Sequence, residues 1–325
     1  MKLQRRSFLG ALAGLSCGAF LPQGATSSVV ANEVKSSSLS FDALKPKFSL
    51  NTATIREYNL SLIDELKVVK EAGYSHTEIW FDRLSDYARD DSSKGFAPKK
   101  LAELKKFLDG EGLRVEGGIG FATWIMNEED KRKAGLDELK RQSEALAALG
   151  AGNIACPAAG PWNEKIEGID VIAERFAQAI DVCASFGVRA MLELWGASPT
   201  LSRLSDCLAI CVETGRSNAA LLLDAYHLYR GGNSFDSLNL VAGSALPVFH
   251  MNDYPGTPER EKLSDSDRVF PGDGICPLRD VLATLYGNGF DGILSLELFN
   301  RKYAKEMSAL DQAKTGLAKM RALFD

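Results

Sequence analysis

Histidine is scarce in this sequence, closely spaced cysteine pairs of the CxxC type are absent, and acidic residues outnumber basic ones. Only three of the 325 residues are histidine, which limits the number of imidazole-rich metal sites that the chain can build. The six cysteines include no CxxC pair, so buried free thiols are favoured over a disulfide framework. The formal net charge of -5 argues against a nucleic-acid-binding surface, because such surfaces need clustered lysine and arginine. With 45% hydrophobic and 25% charged residues, the chain has the composition of an ordinary globular protein.

The N-terminal apolar run, from Phe8 to Phe20, is too short to span a membrane, but it has the character of a secretory signal. The segment Gln4-Arg5-Arg6-Ser7-Phe8-Leu9 resembles the twin-arginine export signal. We therefore predict a Tat-type signal peptide over residues 1–31, a flexible lead-in over residues 32–46 and one domain over residues 47–325. A lipoprotein signal at Cys17 is the weaker alternative, since Gly14 stands where a large aliphatic residue is expected.

This resemblance implies that the Tat export machinery is a partner and that the chain is exported already folded, with any cofactor in place. The expected location is the periplasm or the outside of the cell, with no membrane association after processing.

Short apolar runs alternate with helical patterns eight times after the lead-in. The predicted strands are residues 48–54, 77–81, 114–119, 153–156, 189–194, 219–223, 246–250 and 292–298. Such alternation predicts parallel strands joined by right-handed crossovers. Eight repeats fit a single-domain (β/α)8 TIM barrel of the α/β class, which needs about 250 residues. An open doubly wound sheet usually carries a glycine-rich phosphate turn after its first strand. Here the first strand leads into Thr54-Ile55-Arg56-Glu57, which contains no glycine, so the barrel is favoured.

The last four predicted strands each end in a side chain that can bind a metal. These residues are Glu193, Asp224, His250 and Glu297. Because the carboxyl ends of all barrel strands meet at one rim, we expect the four side chains to lie together. Three carboxylates and one imidazole favour Mn²⁺, then Mg²⁺ or Co²⁺, whereas Zn²⁺ more often recruits further histidine or cysteine. A divalent cation there could polarise a hydroxy-ketone and stabilise an enediolate, while a carboxylate moves the neighbouring proton.

Several segments carry a family resemblance. They are Leu192-Glu193-Leu194, Leu223-Asp224-Ala225-Tyr226-His227, His250-Met251-Asn252-Asp253, Pro271-Gly272-Asp273-Gly274 and Ser295-Leu296-Glu297. Together they resemble the sugar phosphate isomerase/epimerase family, the xylose-isomerase-like barrels. The resemblance implies that Glu193 and Glu297 bind the metal and exchange the proton, that Asp224 and His250 complete the metal shell, and that His227 contacts substrate oxygens.

The chain departs from the ketose 3-epimerases of this family after His250, where those enzymes carry an arginine. The nearest arginines here are Arg260 and Arg268, and we predict that they bind substrate. Both lie among acidic residues, so a solvated salt bridge is the alternative for at least one of them. The AP endonucleases of the same superfamily use a three-metal cluster with more histidines than this chain supplies. Partnership with nucleic acid is therefore not expected.

Two further residues are candidates for substrate binding. Trp195 follows the fifth strand, where the apolar wall of a sugar pocket would lie, although aromatic residues on loops are common. Glu116 alternates with apolar neighbours in the third strand, as Glu78 does in the second, so each either lines the barrel or forms an ion pair with a helix.

We predict a metal-dependent isomerase or epimerase that acts on a keto-sugar or polyol through a metal-bound enediolate. The same chemistry could instead end in β-elimination, giving a dehydratase or lyase that acts on an oxidised sugar or inosose. A non-catalytic carbohydrate-binding barrel is the alternative from another class. Whether the chain forms a homo-oligomer is left open by the sequence.

Overall fold

Eight parallel strands close into a barrel in the computed structural model, which describes residue 41, residues 44–92 and residues 95–325. The barrel strands are β1 (Lys47–Asn51), β2 (His76–Trp80), β5 (Arg114–Ile119), β6 (Asn153–Cys156), β7 (Arg189–Glu193), β8 (Ala220–Asp224), β9 (Val248–Met251) and β10 (Ile293–Leu296). Two short strands, β3 (Arg89–Asp90) and β4 (Gly95–Phe96), form a separate antiparallel pair. Barrel neighbours follow chain order, and β10 closes the barrel against β1. The predicted TIM barrel is confirmed.

Helices surround the barrel and connect successive strands. They are α1 (Leu62–Glu71), α2 (Phe81–Ala88), α3 (Pro98–Glu111), α4 (Glu129–Leu149), α5 (Ile169–Ala184), α6 (Leu204–Glu213), α7 (Ala225–Arg230), α8 (Leu278–Gly287), α9 (Tyr303–Glu306) and α10 (Ala309–Ala322). Their ends follow capping rules: the Ser61 side chain accepts a hydrogen bond from the Asp64 amide at the start of α1, and Gly150 ends α4 in the left-handed conformation.

The prediction and the structure differ at the end of the first strand. The predicted strand runs to Thr54, but β1 ends at Asn51, whose side chain accepts a hydrogen bond from the Ala53 amide. That cap begins a 3₁₀ helix over Thr52–Tyr58. The short helices α2 and α7 were not predicted, because each starts directly at the end of a strand without an intervening turn signal.

Side chains alternate between the inside and the outside of the barrel, and this alternation positions the site. The inner apolar layer includes Met191, Leu222 and Val248. Because strand side chains alternate with a period of two, the residue two positions later in each strand also points inward. Those residues are Glu193, Asp224 and His250, so the polar rim lies directly above the apolar layer.

The predicted signal peptide over residues 1–31 and most of the predicted lead-in over residues 32–46 lie outside the described residues. Within the described part of the chain, no helix is both long and apolar enough to cross a bilayer.

Candidate metal centre

Three of the four predicted ligands converge at the carboxyl ends of β8, β9 and β10. Asp224, His250 and Glu297 are buried, and each offers a donor atom within 4.8 Å of the others. Glu193, at the end of β7, lines a cavity that Glu297 also lines, but it does not belong to this close set. The structure therefore brings three ligands together, and the role of Glu193 as a fourth ligand stays a prediction.

Glu78 orients the His250 ring. The Nε2 atom of His250 lies 3.0 Å from Glu78 Oε2 in the barrel interior. Since a carboxylate accepts, Nε2 donates and carries the hydrogen, which turns the Nδ1 atom towards the other acids. His250 Nδ1 lies 3.2 Å from Glu297 Oε2 and 4.0 Å from Asp224 Oδ2. A carboxylate–histidine pair of this kind is the usual support of a metal-binding imidazole.

This donor set fits a divalent cation. Among the described residues, His250 Nδ1 has no hydrogen-bond partner, although it is buried beside two carboxylates. Burial would lower the pKa of His250, but Glu297 and Glu78 outweigh it and raise that pKa well above its ordinary value. The acids thus attract a positive charge to the position that Nδ1 faces, and a proton and a metal cation would compete for it.

Asparagine side chains hold the two carboxylates in place. Asn252 Nδ2 donates to Asp224 Oδ2 at 2.7 Å, and Asn51 Nδ2 donates to Glu297 Oε1 at 3.0 Å. Asp224 Oδ1 accepts a hydrogen bond from the His227 amide at 2.8 Å, so the carboxylate also caps α7. Fixed partners of this kind keep acidic ligands oriented.

Arg268 is the positive charge of the site. Its side chain is 1% exposed, and its Nη1 atom donates to Asp224 Oδ2 at 3.0 Å and to Glu297 Oε2 at 2.9 Å. Its Nη2 atom donates to Asp265 Oδ1 at 2.7 Å and to the His227 ring at 2.9 Å. The guanidinium also lies over the rings of Tyr226 and Phe299, 4.6 and 5.0 Å from their centroids. Charge-assisted hydrogen bonds and stacking together hold it rigidly.

The loop over residues 253–276, which is held by backbone and side-chain hydrogen bonds, brings Arg268 to this position. Asp253 and Val269 form an antiparallel bridge immediately after β9, with amide-to-carbonyl distances of 3.0 and 2.9 Å. The Asp253 carboxylate accepts hydrogen bonds from the amides of Tyr254, Gly272, Gly274 and Cys276. A side chain at Gly274 would collide with the Tyr254 carbonyl and the Asp253 carboxylate, so only glycine fits there. The loop thus returns Arg268 to the strand that carries His250.

His227 is a neutral donor at the rim. Arginine can only donate hydrogen bonds, so the Nε2 atom of His227 accepts from Arg268 and the Nδ1 atom carries the hydrogen. Burial and the Arg268 charge lower the pKa of His227 well below its ordinary value. Within residues 44–92 and 95–325, its Nδ1 has no hydrogen-bond partner, and the residue lines the same cavity as Glu193.

The two candidate catalytic acids have pKa values that diverge. Burial and then the negative charge of Glu297 raise the pKa of Glu193 to about 8. Burial would also raise the pKa of Glu297, but His250 and Arg268 outweigh it and hold that pKa below its ordinary value. Two carboxyl groups with separated pKa values can act as an acid and a base at the same pH.

The cavity above these residues has a volume of about 590 Å³, which suits a small-molecule site. Trp195 lines it, in agreement with the position predicted from its strand. Glu116 lies elsewhere: its carboxylate is 3.3 Å from His76 Nε2, at the opposite end of the strands. Arg260 is 42% exposed and paired with Glu261 at 2.5 Å. Neither position supports the substrate-binding role that the sequence suggested.

Sequence reasoning missed the residues that support the metal ligands. Asn51 and Asn252 were not singled out, and Glu78 was left between two interpretations. A usable signal did exist, because each of the three lies at an inward position of its strand. Asn252, for example, lies two residues after His250.

The chain is similar to isomerases and epimerases of one barrel family. A family model described as "Xylose isomerase-like TIM barrel" matches residues 66–323. An inosose isomerase of Halalkalibacterium halodurans is 28% identical over 276 residues, covering 83% of this chain and 93% of the relative. A D-psicose 3-epimerase of Agrobacterium fabrum is 22% identical over 251 residues, covering 72% of this chain and 78% of the relative. The crystal structure of the IOLI protein, which has a bound zinc atom, superposes with a TM-score of 0.76 at 24% identity over 86% of this chain and 98% of that one.

Proposed function

Because the chain belongs to the xylose isomerase-like TIM barrel family, we propose that it is a divalent-metal-dependent isomerase or epimerase of keto-sugars or inosose-like polyols. The observation that carries this proposal is the convergence of Asp224, His250 and Glu297 within 4.8 Å, beside a cavity that Glu297 and Glu193 both line. The inosose isomerase and D-psicose 3-epimerase relatives support the same class of reaction.

We propose that Asp224, His250, Glu297 and Glu193 hold the cation. When bound, it would polarise the substrate carbonyl as a Lewis acid. Of the four residues only His250 is a nitrogen ligand, so the set is rich in hard oxygen donors. We therefore propose Mn²⁺ as the preferred ion, with Mg²⁺ or Co²⁺ next and Zn²⁺ less favoured.

Glu297 and Glu193 transfer the proton beside the carbonyl. His250 and Arg268 hold the pKa of Glu297 below its ordinary value, so Glu297 is the group that accepts the proton, and Glu193 is the group that returns it. If the two carboxyl groups face opposite sides of the substrate carbon, removal by one and return by the other inverts the configuration there. Return to the neighbouring carbon gives isomerisation instead.

Arg268 and His227 orient the substrate. The Nδ1 hydrogen of His227 suits a substrate oxygen, because it has no other partner in the described part of the chain. Arg268 fixes the His227 ring and both carboxylates at once, so it sets the distances between the groups that act on the substrate. Trp195 contributes an apolar wall for the C–H face of the ring.

Solvent exchange tests this proposal. The purified protein, loaded with Mn²⁺, is incubated in D₂O with a panel of ketoses and inososes, and deuterium incorporation beside the carbonyl is followed by NMR. We expect exchange with at least one substrate and its loss in Glu297→Gln. The matched control is Glu111→Gln, an exposed glutamate at the end of α3. Full turnover by folded Glu297→Gln would refute the proton-transfer role.

The same experiment separates the alternatives. A dehydratase or lyase would exchange the proton but yield a product that has lost water or an alcohol group. A non-catalytic carbohydrate-binding barrel would show ligand binding without any exchange.

We further propose that the protein acts in the periplasm or outside the cell after export by the twin-arginine machinery. The arginine pair Arg5-Arg6 and the apolar run that follows it support this location. Cell fractionation of the native chain and of an Arg5→Lys, Arg6→Lys variant tests it, with cytoplasmic retention expected for the variant. Size-exclusion chromatography with light scattering of the purified protein determines whether it forms a homo-oligomer.

A further inference from the structure

A second cavity adjoins the metal centre. It has a volume of about 650 Å³ and lies over the ends of β2 and β5, whereas the metal ligands lie at the ends of β8, β9 and β10. The two cavities share four lining residues, Arg56, Trp80, Ile119 and Phe121. The two cavities are therefore adjacent along these four residues, which we call the groove, and a molecule seated at the metal centre can extend past Trp80 towards the second cavity.

Aromatic rings form a continuous row beside this groove, in which Trp80, Phe121 and Trp195 line the cavities and Trp162 contacts Phe121 and Trp195. The ring centroids of Trp80 and Phe121 are 5.6 Å apart, those of Phe121 and Trp162 are 5.9 Å apart, and those of Trp162 and Trp195 are 5.3 Å apart. Phe121 and Trp162 are 46% and 42% exposed, which is unusual for such large side chains. Since ring contacts bring these exposed side chains into one row, the row provides apolar surface to a ligand rather than to the core.

The rest of the second cavity is polar and carries both signs of charge. Arg56, Arg89 and Arg141 supply positive charge, and Asp82, Asp86, Asp91 and Glu138 supply negative charge. Arg56 forms an ion pair with Asp82 at 2.7 Å, and its guanidinium carbon lies 4.4 Å from the Trp80 centroid. A lining with more acidic than basic residues does not select an anion such as a phosphate. Mixed donors and acceptors beside flat aromatic faces suit a neutral ligand with many hydroxyl groups.

The floor of this cavity contains an incompletely bonded amide. Gln142 is 4% exposed, and its Nε2 atom donates to Glu138 Oε1 at 3.0 Å. Its Oε1 atom has no hydrogen-bond partner within the described ranges 44–92 and 95–325. A side chain at Gly120 would collide with Gln142 and the Phe81 ring, so the glycine allows both side chains to pack against its backbone. A buried amide oxygen without a partner is costly, and it favours a ligand hydroxyl or a water at this position.

We propose that the second cavity is a subsite for a second sugar ring, so that the substrate is a glycoside or disaccharide rather than a free monosaccharide. The inference rests on the proposed function, which concerns the sugar ring that reacts at the metal centre. It adds a binding site for a second ring that does not react. Trp80 and Phe121, whose rings line the second cavity, provide the stacking surface, and the polar residues of that cavity bind the hydroxyl groups of the second ring. No covalent step takes place in this subsite.

Binding measurements test this subsite independently of turnover. The Mn²⁺-loaded full chain is titrated calorimetrically with glucosyl-glucose disaccharides of α and β linkage and with methyl glucoside. The variants are Phe121→Ala and Arg141→Ala, with Leu240→Ala as the control because Leu240 is 80% exposed and outside both cavities. Arg141 lines the second cavity and not the first, so Arg141→Ala should weaken disaccharide binding by roughly 3- to 10-fold and leave methyl glucoside binding unchanged. Phe121 lines both cavities, so Phe121→Ala should weaken the binding of both kinds of sugar.

The expected result is tighter binding of at least one disaccharide than of methyl glucoside, a preference that Arg141→Ala removes and Leu240→Ala retains. Equal affinity for both kinds of sugar, or no detectable binding of either, overturns the proposal. If the disaccharide preference is present but no keto-glycoside exchanges its proton in D₂O, the subsite stands and the isomerase proposal fails.

Discussion

Replacing Arg268 by methionine tests how the metal centre is held together without a cation. The guanidinium is 1% exposed and bonds to Asp224 and Glu297, two carboxylates that are also buried. Methionine preserves the apolar stem between Tyr226 and Phe299 but leaves the carboxylates without their positive partner. Removing one partner of a buried ion pair costs about 3–5 kcal/mol. For a domain of this size, that corresponds to a fall in melting temperature on the order of 10 °C.

The assay is thermal unfolding by circular dichroism in EDTA and again in Mn²⁺. A bound divalent cation supplies positive charge to the same carboxylates, so Mn²⁺ should raise the melting temperature of Arg268→Met more than that of the parent protein. The matched control is Arg260→Met, because Arg260 lies on the same loop but is exposed, and its melting temperature should not change measurably. If Arg268→Met in EDTA is as stable as the control, the reasoning is refuted.

Three further predictions concern Glu65, a buried residue of α1, together with Glu78 and Asp253. Burial raises the pKa of Glu65 from 4.5 to about 7 in the folded protein. The free energy of unfolding should therefore fall by about 3 kcal/mol as the pH rises from about 4.5 to 7. Urea unfolding at several pH values should show this loss, and Glu65→Gln should remove it. Glu78→Gln should weaken metal affinity by roughly 10- to 100-fold through misorientation of His250, measured by calorimetry, whereas tight binding would contradict the orienting role. Asp253→Ala breaks four hydrogen bonds from loop amides and should lower the free energy of unfolding in urea by more than about 2 kcal/mol. Proteolysis of residues 254–276 should also be faster, and an unchanged cleavage rate would show that other contacts hold the loop.

The barrel was predictable because its signal is local and repeated. Apolar runs alternating with helical patterns recur eight times, and a ligand-type residue at the end of a run must lie at the rim once the barrel closes. This logic correctly brought Asp224, His250 and Glu297 together. It required no knowledge of any individual contact.

The remaining features of the site depend on contacts between distant parts of the chain. Arg260 and Arg268 look alike in sequence, and the bridge between Asp253 and Val269 decides which of them reaches the carboxylates. Glu116 and Glu78 both alternate with apolar neighbours, but β2 and β5 pair with a shift in register at Thr77 and Glu78. Glu78 consequently reaches His250, while Glu116 pairs with His76. A strand register cannot be read from alternation alone.

The order of the strands places the close ligand set and the exposed aromatic rings on different arcs of the barrel. The close ligand set comes from β8, β9 and β10, whereas the exposed rings of Phe121 and Trp162 come from the segments that follow β5 and β6. Segments on the second arc can therefore change in length or composition without disturbing the ligands on the first. A library randomised around Phe121 and Trp162 should consequently yield barrels that accept new substrates while keeping the same reaction.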